Sequence, residues 1–263
     1  MLITNVKIGA DPELFIINKK TGKVVSSVGL IPGEKGKPYV SEDMPEGFGL
    51  ETDNILAEFN IPPVTDRLSF LNALNYMKNY IRDYVSKINP DYDIKCSASE
   101  IVDEDQLNSD QARLFGCDVD YNAYTEEPNP KPDGERGTLR SAGAHWHISY
   151  DHPNIDDSLR LIRYLDMYVG LPSVLYDQDI RRRSLYGKAG SFRLPKYGLE
   201  YRVCSAAMYA TDELMSIVWN GIQNAINACN HGLQLAPSEL VQKAINKSDV
   251  ELAKKIIKTF HIL

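Results

Sequence analysis

The sequence predicts an α+β fold with a largely antiparallel sheet. Several stretches alternate polar and apolar residues as half-buried strands do. These stretches come in runs broken by helical segments, not in a βαβ rhythm. No GxGxxG or GxxxxGK[ST] fingerprint of a doubly wound nucleotide fold is present.

Residues Asn5 to Asn18 read as the first strand, "NKKTGK" as a turn, and Val24 to Val28 as its return strand. Ile31 to Phe48, rich in Gly, Pro and charge, reads as a long loop, of the length that often serves as a lid. Leu50 to Ile61 reads as one second long strand, stopped by Pro62 and Pro63. Asp66 has the character of an N-cap for a helix to about Ile88, with Leu68, Leu71, Leu74, Tyr76 and Ile81 on one stripe. Asp93 to Val102 suggests another strand. The turn-rich "EEPNPKPDGERG" then precedes a strand from Thr138 to Tyr150. Helical periodicity returns from Ile155 to Val169 and ends at "GLP". Glu200 to Met208 is strand-like, Thr211 to Asn230 is helical, and one or two short helices finish the chain.

A length of 263 residues allows one large domain or two small ones. We read residues 1–263 as a single catalytic domain, with a core sheet over about 5–205 and C-terminal helices over about 211–260. No apolar run reaches the roughly 20 residues that span a bilayer, and the N-terminus lacks a signal-peptide layout. Cys96, Cys117, Cys204 and Cys229 are widely spaced, as in a reduced cytoplasmic protein, and not as in a zinc site. A net charge of −7 argues against general nucleic-acid binding. Nine of the twelve arginines nevertheless lie between Arg136 and Arg202, which suggests a local anion site. Arg160 and Arg163, on a helix, read as ordinary surface ion pairs.

Alternation puts positions i and i+2 on one strand face. Asp11 and Glu13 in "GADPELFI" therefore point one way, as do His145 and His147 in "GAHWHIS" and Glu200 and Arg202 in "GLEYRV". One such pair is an ordinary sign of a wet sheet face; three on three strands point to a site. "LETDNILAEFN" adds Glu51, Asp53, Asn54, Glu58 and Asn60. Carboxylates with imidazole suit Mg²⁺ or Mn²⁺. Glu51 and Glu58 do not fit smoothly. Seven residues apart, they fall on opposite faces of a regular strand, so either a bulge intervenes or only one is a ligand. Arg181, Arg182, Arg183, Arg193 and Arg202 complete the equipment of phosphoryl transfer, although three consecutive arginines cannot all face one way. No nucleophilic triad is legible. Trp146, alternating with the histidines, belongs in the core. The "FGCDVDYNAY" loop looks specific, without an assignable role.

In order, "GADPE", "LETDNILAEFN", "FGCDVDYNAY", "RSAGAHWHIS", "YGKAGSFR" and "YGLEYR" resemble the carboxylate–amine ligases of the glutamine synthetase and glutamate–cysteine ligase superfamily, above all its compact phage amidoligase-type members. The resemblance implies a curved sheet forming an open funnel, with helices packed on its outer face. It implies ATP and Mg²⁺ (or Mn²⁺) as cofactors, with Asp11, Glu13, Glu51, Glu58, His145 and Glu200 as metal ligands. His147, Arg193, Arg202 and, more loosely, Arg183 would meet the nucleotide phosphates, and Arg140 the substrate carboxylate. Arg193, Arg202 and Glu58 would be the catalytic groups. The implied reaction joins a carboxylate and an amine, from small molecules or peptides, through an acyl phosphate. No membrane partner is implied; a homo-oligomer stays open, since larger relatives form rings. Other readings are a guanidino-kinase-like phosphotransferase on the same general fold, a metal-dependent hydrolase, or a non-catalytic phage protein retaining the fold.

Overall fold

Strand β1 (Lys7–Asn18) is the axis of the sheet, long enough to pair with four other strands. In the computed structural model, which describes residues 2–113, 119–130 and 137–262, the strands that follow are β2 (Val24–Val25), β3 (Gly49–Asp53) and β4 (Leu56–Val64). Helix α1 (Arg67–Ile88) leads to β5 (Tyr92–Lys95), β6 (Ser99–Ile101), the short α2 (Asp110–Arg113), β7 (Tyr121–Asn122), β8 (Leu139–Ser141) and β9 (Ala144–Ser149). Then come α3 (Ile155–Leu165), α4 (Leu171–Tyr176), α5 (Ile180–Leu185), β10 (Ser191–Arg193), β11 (Gly198–Tyr201), α6 (Asp212–Asn230), α7 (Ser238–Asn246) and α8 (Val250–Thr259).

The main sheet runs β3-β4-β1-β9-β11-β10-β7, with β2 and β5 on the far half of β1. Strands β6 and β8 form a separate two-stranded sheet. All ladders between these strands are antiparallel, as the runs of alternating residues predict.

One face of the sheet is the core. Ile8 and Ala10 of β1 lie opposite Ile148 and Trp146 of β9, which in turn face Leu199 and Tyr201 of β11. Helices cover this face through aromatic contacts: Phe70 of α1 lies 5.6 Å from Trp146 and 5.1 Å from Trp219 of α6, and Tyr209 lies 4.6 Å from Trp146. Trp146 is fully buried, as its alternation with the histidines predicts. Each such large apolar side chain contributes about 1.5–3 kcal/mol by leaving water. Asp66 caps α1 by accepting from the Ser69 amide. The buried stripe of α1 is Phe70, Ala73, Leu74, Met77, Ile81 and Val85, and Leu68, expected on it, is exposed. The stripe turns on Phe70 because that ring meets both tryptophans.

Six further expectations change. Leu50 to Ile61 is two strands, β3 and β4, joined by a tight turn with Asn54 at φ 56°. Pro62 and Pro63 do not stop β4, which runs to Val64; the β1–β4 register shifts at Ile8–Ala10, where a missing amide is tolerated. The segment 138–150 breaks at Ala142–Gly143, and the Gly143 amide turns to the Glu13 carboxylate. The helix from Ile155 does not end at "GLP": a π-helical turn, Asp166–Gly170, admits Pro172 and the helix continues to Tyr176. Similarly, 93–102 holds two short strands, and the strand at Glu200 ends at Tyr201 before a 3₁₀ turn at Ala206–Tyr209. Among the described residues, no helix is long and apolar enough to cross a membrane.

Candidate functional site

The other face of the sheet collects the charged pairs. Residues directly opposed in an antiparallel ladder point the same way. Asp11 faces His145 and Glu13 faces Glu58. Glu200 faces His147 on one side and Arg193 on the other. Glu51 faces Glu58 across the β3–β4 turn. Neither a bulge nor the loss of one ligand is needed to bring these two together: the turn at Asn54 reverses the chain and cancels the odd spacing.

These side chains form two clusters. The donor atoms of Asp11, His147 and Glu200 all lie within 4.8 Å of one another, as do those of Glu13, Asp53 and Glu58. His145 sits between the clusters. Its Nδ1 is 3.7 Å from carboxylate oxygens of both Asp11 and Glu200, and its Nε2 is 4.0 Å from Glu13. Gly143 makes room for that ring, since a Cβ there would stand 2.4 Å from His145 Nε2. The His147 ring is held on both sides, its Nε2 2.9 Å from Asp11 and its Nδ1 hydrogen-bonded to the Tyr197 hydroxyl.

The two clusters differ electrostatically. Burial works against the Asp11 carboxylate, but the His147 imidazole, then His145, outweigh it and hold Asp11 far below the usual range. Burial likewise works against a charged His147, yet Asp11 raises its pKa. Burial, then the charges of Asp11, Glu13, Asp53 and Glu51, push Glu58 well up. Burial also raises Glu51, although the Gly36 amide donates to it at 2.9 Å. The Lys35 ammonium meets Asp53 Oδ2 at 2.8 Å, while Asp53 Oδ1 is buried without a hydrogen-bond partner. Packed carboxylates and an orphaned oxygen are a donor set that fits a divalent cation. Both clusters could hold a metal.

The arginines divide. Arg202 donates to Glu200 and lies 3.2 Å from His145 Nδ1; Arg193 is 3.7 Å from Glu200. Arg140 is buried and donates to the carbonyls of Ala112, Leu139 and Gly137, while still lining the space beside Glu13. Arg183 stands apart, its Nη1 donating to the carbonyls of Gly187 and Val203. Arg160 pairs with Asp157, and Arg163 donates to the Ala123 carbonyl.

Several site residues received no specific role from the sequence reading, although Asp53 and Arg182 were named in it. Asp53 shares a strand face with Glu51 by the i+2 rule that selected the other pairs, so its signal was present. Asp120, 3.9 Å from Arg202 Nε, belongs to the "FGCDVDYNAY" motif, of which residues 115–118 lie outside the described residues. Lys35 comes from the Ile31–Phe48 loop, which is pinned to β3 by a pair of hydrogen bonds between Tyr39 and Leu50. Tyr197 carries no local pattern, and the run of three arginines did not tell Arg182 from its neighbours.

Two cavities flank the clusters. A groove of about 500 Å³, lined by Gly9, Ala10, Ile61, Pro63, His147 and Tyr197, adjoins the Asp11 end. A tight pocket of about 30 Å³ adjoins the Glu13 end, among Arg140, Arg182 and Arg202.

An antiparallel sheet that presents carboxylates, imidazoles and arginines on one face carries groups that could hold a divalent metal and an anion. More specifically, residues 139–262 match the family model described as Phage phiEco32-like COOH.NH2 ligase-type 2. This is the amidoligase-type family that the motifs resemble, one of carboxylate–amine ligases, consistent with an amide-forming enzyme. The matched span carries Arg140, His145, His147, Arg193, Glu200 and Arg202; the acids of β1, β3 and β4 lie outside it. No curated protein matches the chain significantly.

Proposed function

We propose that the chain is an ATP-dependent carboxylate–amine ligase that works on the polar face of its sheet, as one catalytic domain with a glutamine synthetase-like funnel. The observation that carries this reading is the pair of acidic clusters packed against Arg193 and Arg202. ATP and carboxylates are both anionic, so a face this acidic accepts them only with cations between. Asp11, His147 and Glu200 would hold one Mg²⁺ or Mn²⁺, and Glu13, Asp53 and Glu58 the other. His145 and Glu51 lie alongside. Bound there, the metals would screen phosphate oxygens and stabilise charge during transfer.

The chain's own residues supply the rest. The groove beside Tyr197 offers room for the nucleotide, with its phosphates toward His147, Arg193 and Arg202. Arg193 and Arg202 neutralise charge on the transferred phosphoryl group. A substrate carboxylate oxygen attacks the γ-phosphorus, ADP leaves, and an acyl phosphate forms. The amine nitrogen then attacks the acyl carbon, phosphate departs, and the amine loses a proton. Arg140 borders the space in which the acid would lie. Both substrates are small-molecule or peptide groups.

The test is incubation with ATP, Mg²⁺, a panel of carboxylates and hydroxylamine. A hydroxamate and equimolar phosphate are expected for at least one acid. Neither product across a broad panel would sink the reading.

A further inference from the structure

The pocket at the Glu13 end holds a guanidinium to which the ligase reading assigns no task. Helix α5 carries three consecutive arginines, and the fold sends each to a different place. Arg181 pairs with Asp179 near the surface at 2.7 Å, and Arg183 turns to backbone carbonyls. Arg182 lines the pocket and is only 2% exposed. It makes one hydrogen bond, from Nη1 to the Val203 carbonyl at 3.0 Å, and its Nε is buried without a partner. What remains is the Nε–Nη2 edge, the side of a guanidinium that grips an oxyanion with two parallel hydrogen bonds.

No carboxylate among the described residues forms an ion pair with Arg182. The charged groups acting on it are Arg183, Asp177 and Glu13. Asp177 already accepts from Ser205 Oγ and the Asp179 amide, and Glu13 accepts from the Gly143 amide and belongs to an acidic cluster. A buried cation with one carbonyl partner is costly, and folds retain such groups where a ligand completes them. The backbone is shaped around it as well. Gly187 sits at φ 69°, and a Cβ there would stand 1.7 Å from Arg182 Nη1. The void of about 30 Å³ exceeds the roughly 10–15 Å³ that one water needs and suits one small anionic group.

We propose that Arg182 forms an oxyanion subsite, in the pocket it shares with Arg140 and Arg202, that receives a carboxylate or phosphate group of a bound reactant. The proposal rests on the ligase reading for its two sources. One is a carboxylate that the acid substrate carries besides the one that reacts. The other is the phosphate set free.

The test compares the wild type with Arg182→Gln and Arg182→Lys in the presence of Mn²⁺, whose own binding is read separately by electron paramagnetic resonance. Calorimetry follows inorganic phosphate, succinate and propionate. The wild type should bind phosphate, or succinate more tightly than propionate. Arg182→Gln should weaken that binding by roughly 10- to 100-fold, the worth of a charge-assisted hydrogen bond, with Mn²⁺ binding kept. Loss of phosphate binding assigns the subsite to phosphate; loss of the preference for succinate assigns it to a second substrate carboxylate. Equal affinities in wild type and variant, or no oxyanion binding to a wild type that binds Mn²⁺, would overturn the proposal. Should the variants not fold, wild-type crystals soaked in selenate decide. An anomalous peak beside Arg182 Nε supports the subsite, and peaks confined to Arg193, Arg202 or elsewhere reject it. Failure of the wild type to bind Mn²⁺ would count against the ligase reading alone, and the selenate peak would still judge the subsite.

Discussion

Glu51 and Glu58 stand directly opposite each other across the β3–β4 turn, although seven positions separate them in the chain. The turn depends on Asn54, whose φ of 56° lies in the left-handed region. Asn54→Ala should therefore cost about 1–2 kcal/mol, the penalty of a Cβ in that region, and disturb the Glu51–Glu58 register. Asn54→Gly should cost less. Thermal denaturation and Mn²⁺ titration of both variants check this, and equal losses would show that the backbone conformation is not what matters.

Glu58 is pressed by burial and by four neighbouring carboxylates. Glu58→Gln should raise the melting temperature of metal-free protein by about 2–4 °C, equivalent to about 1 kcal/mol in a chain of this size. The same change should weaken Mn²⁺ binding by roughly tenfold or more, at about 1.4 kcal/mol per tenfold. Melting curves with EDTA and with Mn²⁺ should thus move in opposite directions.

Gly143 leaves the space that the His145 ring fills, with a Cβ position 2.4 Å from Nε2. Gly143→Ala should displace the imidazole from between the clusters and cut ligase turnover. Helix content by circular dichroism should stay unchanged. Wild-type turnover in this variant would mean that the place of His145 is unimportant.

Tyr197 holds His147 through Nδ1 while Asp11 holds it through Nε2. Outer partners of ligating histidines are worth about 10–100-fold in metal affinity. Tyr197→Phe should show a loss in that range for Mn²⁺, with little change in melting temperature.

Asp166 lies on the core side, beneath the sheet, where the hydroxyls of Tyr201 and Tyr124 donate to it at 2.7 and 2.9 Å. Burial outweighs those hydrogen bonds and raises its pKa from 3.8 to about 7. A raised acid binds its proton more tightly in the folded state. Its contribution is complete below pH 3.8 and is lost as pH rises through about 7. Asp166→Asn should flatten stability over that interval, as denaturant melts at several pH values would read. An unchanged slope would place the titration elsewhere.

Much of the site was legible because strand alternation is local. "DPE", "HWH" and "EYR" each reveal their facing from adjacent residues, and Asp66 and Thr211 mark helix starts through the same kind of short-range chemistry. The hairpin at Asn54 was not legible, because "LETDNILAEFN" keeps its apolar rhythm through the turn. The roles of the three consecutive arginines were also hidden, since a short helix scatters neighbouring side chains around its axis and only packing selects their partners.

By itself, the sequence determined the antiparallel character of the fold, the acids and imidazoles that share a strand face, and the family its motifs resemble. Tertiary structure alone decided that His147 joins Asp11 and Glu200, that Asp53 joins Glu13 and Glu58, and that Arg182 faces a pocket while Arg183 does not. The physical reason is range. Alternation fixes which way a side chain points over two residues, whereas a cluster is fixed by the register of strands far apart in the chain, and that register is set by the core packed behind them.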